Sequence, residues 1–484
     1  MNIIEGRLGL SIPIQKQSTS ADFGDFKKEN IEEWVLGLPQ NNLGIMNKAL
    51  YEFIVELNKT TLSPHVRFET LELILPQVAF VTQSLNKRYM DDNDVPKDKR
   101  KKIALLIEIL NMEMCLGYKL IIETLGTRLF KKKSVLLKAL HRVTIFSLEI
   151  LQKCYQMYTS APRNLWRELH IIYQYAEKTR LLNKIVEHFD SRSVRHSTIQ
   201  NAYKHALLLA CANPYRLRNQ EIFKLNFALE AWAPMLALNK YTPHSKEIFL
   251  VDLKDDSPPH YTDLKLPASK SSLSLNFDKI NQRMDEILNH ARKRDSTLTF
   301  TGLPCEFQIS ITVLKFLKVS WSSFTDRGTN RIDQKGQVRV TLGLKTTYAA
   351  IVHHTKVDNT IGESVEDQEN EIIYMDALPL PVNKDQKPSF KLIPAEYVNI
   401  SPTGFCFEWK EPIPSDLKTG EIIGIEQNPE LEGILCIGIV RWIKHMDDET
   451  VRCGVKLISP YAIPILTIIP DQAHKLGIKS LLLP

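Results

Sequence analysis

The chain reads as a multidomain protein, α then β: a helical N-terminal region followed by a small six-stranded antiparallel β-barrel. Three observations lead there. Apolar residues recur at spacings of three and four from about Ile31 to Leu238, the mark of helices with one buried stripe. From Gly336 onward the period drops to two, the mark of strands with one buried face. The length of 484 residues also exceeds what one hydrophobic core usually holds, since cores stop growing at ~250–300 residues.

The helical domain occupies 25–238. Its clearest helices are Asn111 to Leu125, Val135 to Tyr155 and Asn164 to Lys184. In the last, Leu165, Trp166, Leu169, Ile172, Tyr173 and Ala176 form one stripe, with Arg167, Glu168, Gln174, Glu177 and Lys178 off it. The Trp166, Leu169, Tyr173, Ala176 spacing resembles the first helix of a tetratricopeptide repeat. No second copy recurs at the period of about 34 residues that such arrays need. The region is therefore a helical bundle or a stack of helical hairpins. Two basic runs, Lys97 to Lys102 and Lys131 to Lys133, lack interleaved aromatics and read as solvated helix ends or loops.

Residues 239–275 have linker composition, rich in Ser, Pro and Asp, with one short strand at Glu247 to Leu253. Helical pattern resumes in a connecting segment, 276–323, at Phe277 to Lys293 and Thr312 to Ser322. The barrel follows at 324–470. Its strand candidates are Gln337 to Leu344, Glu396 to Trp409, Glu421 to Glu426, Leu435 to Lys444, Thr450 to Ile458 and Ile463 to Ile469. Short strands in series with Gly, Pro and Asp between them predict a closed or nearly closed barrel. An acidic, proline-containing insertion at about 355–390 interrupts it and is expected to be mobile. A tail, 471–484, carries Leu481, Leu482 and Leu483. These are expected to pack on the protein, unless the natural chain continues.

Charge and cysteine usage narrow the function. Lys plus Arg number 62 and Asp plus Glu 56, a net +6 that permits an anionic ligand but not a dedicated DNA binder. The seven cysteines include no CxxC pair, which fits reduced thiols in a cytosol. The start, Met1-Asn-Ile-Ile-Glu-Gly-Arg, is not a signal peptide. The most apolar stretch, Ile103 to Ile122, carries Glu108, Glu113 and Lys119, so no transmembrane segment is expected. His353 and His354, read on a strand, point to opposite faces and make no metal site. No nucleophile–base set or nucleotide-fold fingerprint occurs, so no enzyme activity is expected.

Two further motifs carry a resemblance. Arg327-Gly-Thr-Asn-Arg331 precedes the first barrel strand by five residues, and Asn399-Ile-Ser401-Pro-Thr-Gly404 lies in the second strand region. Gly438-Ile-Val-Arg-Trp442 and Cys453-Gly454-Val-Lys-Leu457 look like closing strands. In this order they resemble the PilZ domain, a family of bacterial cyclic di-GMP receptors, across roughly Thr325 to Pro470. The resemblance implies a cyclic di-GMP site made by Arg327, Arg331, Asn399, Ser401 and Gly404, with no other cofactor. The chemistry agrees with it. Arginine forks match guanine O6 and N7, Asn and Ser side chains bond guanine or phosphate, and Gly404 permits close backbone approach or positive φ. Asn399, Ser401 and Gly404 equally suit a local turn. The implied protein is a cytoplasmic receptor acting on an unidentified protein partner through its helical domain, in motility, attachment or biofilm. The alternative is a scaffold that binds proteins and no nucleotide.

Overall fold

The computed structural model describes residues 3–16, 26–90, 97–126, 132–190, 193–242, 249–261, 269, 271–290, 297–300, 307–322, 332–333, 335–358, 390–410, 412–426, 435–467 and 478–483. Contacts divide the chain into two compact units, Met1–Thr325 and Asp326–Pro484.

The first unit opens with a hairpin of β1 (Ile3–Glu5) and β2 (Ser11–Pro13). Six helices follow: α1 (Lys28–Leu36), α2 (Leu43–Lys59), α3 (Pro64–Met90), α4 (Lys97–Gly126), α5 (Lys133–Gln156) and α6 (Leu165–Lys178). A second hairpin, β3 (Val186–Asp190) and β4 (Ser193–Ser197), leads to α7 (Ile199–Cys211) and α8 (Asn219–Trp232). The predicted stripe on α6 is buried in full, from Leu165 to Ala176. The basic run Lys97 to Lys102 lies in the first turns of α4, the end where the helix dipole disfavours cations. It is the exposure of Lys99, Lys101 and Lys102 to water that makes this tolerable.

The core of this unit holds a buried ion pair. Arg142, almost without exposure, donates to both oxygens of Glu72 at 3.1 and 3.2 Å and to the Glu187 carbonyl at 2.9 Å. The Tyr118 hydroxyl donates to the same carboxylate at 2.7 Å. This network ties α3, α4 and α5 to the β3 strand.

Between 239 and 275 the described residues hold more than the one strand expected of a linker. They contribute to a four-stranded antiparallel sheet, ordered β5–β8–β6–β7, of β5 (Ala237–Lys240), β6 (Phe249–Asp252), β7 (His260–Tyr261) and β8 (Ser272–Asn276). The strands are two to five residues long, and Ser272 and Ser274 are buried in one of them. Serine there carries the composition of a loop, so the strands leave little mark on the sequence. The loop after β6 docks on α6. The Asp256 carboxylate accepts from the backbone N–H of Asn164, Trp166 and Arg167 at 2.6–3.1 Å, satisfying donors the helix start leaves unpaired. The buried His170 ring bonds the Tyr203 hydroxyl at 2.8 Å and the Ser257 carbonyl at 3.2 Å. The unit ends with α9 (Asp278–His290), a hairpin of β9 (Thr297–Phe300) and β10 (Phe307–Ser310), and α10 (Ile311–Ser322). Ile280, Met284, Leu314 and Trp321 join the same core as the N-terminal helices.

The second unit comprises β11 (Ile332–Asp333), β12 (Gln337–Leu342), α11 (Leu344–Asp358), β13 (Ile393–Ser401), β14 (Gly404–Trp409), β15 (Ile422–Glu426), β16 (Leu435–His445), β17 (Val451–Ser459), β18 (Ile463–Thr467) and β19 (Ile478–Leu482). Six of these close a ring, each antiparallel to its neighbours: β12–β13–β14–β17–β16–β15 and back to β12. The six-stranded barrel is as predicted, but two of its assignments change. Glu396 to Trp409 is not one strand but a hairpin turning at Pro402-Thr403, where Pro cannot continue a ladder. Ile463 to Ile469 does not enter the barrel; β18 pairs with β19 instead. The barrel interior is filled by Val338, Val340, Leu342, Phe407, Trp409, Ile423, Ile425, Ile443 and Val451. Leu481 packs on a cluster of Ala350, Ile351, Leu435 and Ile437, whereas Leu482 and Leu483 are exposed.

His353 and His354 sit on helix α11 rather than a strand, so roughly 100° of rotation separates them. Among the described residues no group of three metal-ligating side chains forms, and no helix is long and apolar enough to cross a membrane. Most of the expected mobile insertion, residues 359–389, lies outside the described residues.

Two outcomes follow from the buried polar groups of the first unit. Arg142→Met strips the cation from Glu72 and the donor from the Glu187 carbonyl, and should cost about 3–5 kcal/mol, as breaking a buried pair does, measured by urea denaturation. Burial lowers His170 from its ordinary 6.5 to about 4. Between those values the unfolded chain holds the proton that the folded ring lacks, so stability falls as pH drops from 6.5 towards 4. His170→Gln should flatten that part of the stability–pH curve, read from melting temperatures.

Candidate functional site

Strand register decides what the motif residues meet. Directly opposed residues of antiparallel strands share a face. Asp333 opposes Asn399, Asn399 opposes Cys406, Cys406 opposes Gly454, and Gly454 opposes Trp442. One step along, Ser401 opposes Gly404 and Gly404 opposes Lys456. On the other side, Glu396 opposes Glu408, Glu408 opposes Arg452, and Arg452 opposes Lys444. The alternate residues Tyr397, Phe405, Phe407 and Trp409 contact one another inside the barrel, Phe405 stacked on Phe407, Tyr397 tilted against it and Trp409 edge-on to it. The motif rows therefore lie on the outer face. Asn399 and Ser401 stand side by side there, with Trp442, Arg452 and Lys456 on the same surface.

Two glycines keep this surface flat. A Cβ at Gly404 would strike the Val455 carbonyl oxygen, a backbone atom of β17 that cannot swing away. Gly404 does not adopt the left-handed conformation, so of the two roles open to it in sequence, close approach is the one it fills. A Cβ at Gly454 would run into the Trp442 indole; that ring lies across the bare glycine backbone. The indole reaches this position because β16 and β17 slip register between Val440 and Trp442, a bulge that re-aims the side chain. A second bulge in β13, between Tyr397 and Asn399, sets the phase of the Asn399 and Ser401 side chains.

The Ser401 hydroxyl donates to the Gly404 carbonyl at 3.2 Å, and the Leu457 N–H donates to Thr403 O at 2.9 Å. The motif thus builds its own turn and anchors it to β17. Arg452 donates through Nε to Glu408 at 2.5 Å, and this carboxylate raises the Arg452 pKa above its already high ordinary value. Below this pair an open groove of about 450 Å³ runs between Lys335–Gln337, Glu396–Val398 and the Glu408–Arg452 pair.

Arg327 and Arg331 lie outside the described residues. The next residues of the chain do not: Ile332 and Asp333 pair with Ile400 and Asn399. The two residues that follow the arginine motif in sequence therefore lie beside the second motif. Sequence reasoning missed Trp442, Arg452 and Lys456 as members of this face. The signal was present in the alternation around Gly454, which fixes Arg452 and Lys456 to the side opposite Cys453 and Val455. What hid Trp442 was the bulge, which no alternation records. Chemically the face offers an indole for stacking on a flat ring, an amide, a hydroxyl and two cations, of which Arg452 is already paired with Glu408, and it also carries the carboxylates of Asp333 and Glu396. The indole and the polar side chains suit a planar ligand with hydrogen-bonding edges.

Gly404→Ala should cost about 1–3 kcal/mol, the range of overpacking, because strand β17 must move. Gly454→Ala should cost less, since only an indole must shift. Thermal melts of the two variants against the parent chain test the ranking.

Two family models match the chain. The N-terminal domain of the cyclic-di-GMP receptor FimW matches residues 29–244, and the middle PilZ domain of the same receptor matches 248–378 and 375–464. Among curated proteins, the cyclic-di-GMP receptor FimW of Pseudomonas aeruginosa is 26% identical over 523 residues, covering 99% of this chain and 84% of that protein. With a closed six-stranded barrel that carries the Asn-x-Ser-x-x-Gly turn, and with these models spanning both halves of the sequence, this is a PilZ-domain protein with a helical N-terminal domain.

Proposed function

We propose that the chain is a cytoplasmic, non-catalytic receptor for cyclic di-GMP. The observation that carries this is the pairing of Ile332–Asp333 with Ile400–Asn399. It joins the end of the arginine motif to the Asn-x-Ser-x-x-Gly turn on one outward face. The similarity to a named cyclic-di-GMP receptor along nearly the whole chain supports the same reading.

Arg327 and Arg331 supply charge and planar forks for guanine and phosphate. Asn399 and Ser401 supply neutral polar atoms from the rigid side, and Gly404 lets the ligand approach the backbone. Trp442 supplies a ring on which a purine stacks. No other cofactor takes part. The arginine motif follows α10 in the chain, so ordering it over the ligand carries occupancy towards the helical unit, where an unidentified protein partner binds. Such a ligand shifts an equilibrium only by its different affinities for the two states. Motility, attachment or biofilm formation are the processes this family reading points to.

Calorimetric titration of the full chain with cyclic di-GMP is the test. The parent chain should bind. Arg331→Ala should weaken binding by ~5- to 150-fold, equivalent to about 1–3 kcal/mol for one bidentate contact. Arg331→Lys should not restore it, since an ammonium lacks the fork. Ser401→Ala should be milder, at roughly 0.5–1.5 kcal/mol. Equal affinities for the parent chain and Arg331→Ala, with circular dichroism unchanged, would remove the arginine from the site. No binding by the parent chain would favour a protein-binding scaffold instead.

A further inference from the structure

The hairpin of β18 and β19 is an unusual surface. In the barrel unit the exposed large apolar side chains among the described residues are Ile332, Ile458, Tyr461, Ile463, Ile478, Leu482 and Leu483. Of these, Tyr461, Ile463, Ile478, Leu482 and Leu483 belong to this hairpin or the residues flanking it. Register explains the exposure. Ile463 opposes Leu482, Ile465 opposes Ser480, and Thr467 opposes Ile478, so these six share one face. The other face is occupied: Leu481 packs on the Ala350 and Ile351 cluster, and the Lys479 ammonium sits 5.7 Å from the Tyr348 ring centre. The outward face carries no charged group. Its strands are 49–54% exposed at Ile463, Ile478 and Leu482, and apolar surface gathered in this way marks an interaction site.

The edges of the hairpin differ. Proline lacks an N–H, so Pro464 blunts the β18 edge. Strand β19, Ile478-Lys-Ser-Leu-Leu482, has every N–H and C=O, and among the described residues its one strand partner is β18. Unprotected edges of this kind are templates for another strand.

We propose that β19 pairs antiparallel with β19 of a second copy of this chain, about a two-fold axis, to give a four-stranded sheet. The sequence of the strand fits itself. With the axis at Ser480, all five residues pair: Ser480 meets Ser480 of the second copy, and Ile478 meets Leu482 in both directions. Exposed apolar residues thus face each other across the new junction, and Lys479 faces Leu481 rather than its own copy. Like charges are kept apart, as cross-strand pairing requires, and the interface is isologous, as two-fold dimers demand.

Sedimentation velocity on the full chain over a concentration series tests this. The mass should rise from 55.6 kDa towards twice that value. The double variant Ile478→Asp, Leu482→Asp should stay monomeric with an unchanged far-ultraviolet spectrum. In a second arm, Ser480→Cys should form an intermolecular disulfide on mild oxidation, because opposed Cβ atoms lie about 4.5–5.5 Å apart. Ile332→Cys, more exposed but elsewhere on the unit, should not. A parent chain that remains monomeric throughout overturns the proposal, as does self-association that the double variant leaves intact. Should the double variant fail to fold, the cross-linking arm decides: equal or no cross-linking at 480 and 332 overturns the proposal.

Discussion

The barrel face depends on how closely strand β14 approaches β17. A side chain as small as alanine at Gly404 would meet the Val455 carbonyl, so the ladder from Gly404 to Trp409 against Lys456 to Val451 closes only with glycine at its first rung. That rung joins the β13–β14 hairpin to the rest of the ring. Without it the barrel opens at the hairpin that holds Asn399 and Ser401. The same requirement recurs opposite Trp442, where Gly454 leaves room for the indole, and at Gly424, where a Cβ would crowd Thr341 and Thr347. Small barrels have little interior, and glycines let strands and covering side chains come within contact distance. The glycine of the motif therefore has a structural role of its own, set by the backbone it approaches.

Much of this was legible in the sequence, and the limits have physical causes. Helices such as α5 and α6 announced themselves because each buries one long stripe. The barrel was legible because Val338, Val340 and Leu342 alternate with Arg339 and Thr341. Helix α11 was not, since Leu344 to Asp358 follows a strand directly and its polar end merges with the acidic insertion. The β5–β8–β6–β7 sheet was hidden by strands of two to five residues whose buried positions include serine. The strand at Ile463 has the composition of a barrel strand, but its partner is the hairpin strand β19; composition sets strand character, whereas pairing is a property of the whole chain. For the site, motif spacing led to Asn399, Ser401 and Gly404. The cross-strand members Trp442, Arg452 and Lys456 come from β16 and β17, and register alone brings them to the same face.

The helical unit solves a different problem. It buries charge, at Arg142 with Glu72 and at Lys119 with Glu168, and it uses carboxylates to hold chain segments distant in sequence. Glu123 accepts from the backbone N–H groups of Leu8 and Leu10 at 3.0–3.1 Å, Glu168 from Ser11, and Asp256 from the start of α6. Each contact fixes one segment to another by satisfying backbone N–H donors that the local structure leaves unpaired. Buried pairs of this kind add less to net stability than to the uniqueness of an arrangement, because removing either partner is far more costly than the pair is favourable.

These two modes of construction differ in what holds a surface in place. On the barrel face the side chains are phased by two bulges, held by an antiparallel ring and backed by Tyr397, Phe405, Phe407 and Trp409, whose rings contact one another inside. At its margin lie the two residues of β11, whose sole ladder partner among the described residues is β13. A strand of two residues paired on one side adds few ladder bonds, so this margin is tied to the ring far more weakly than the ring strands, each paired on both sides, are tied to one another.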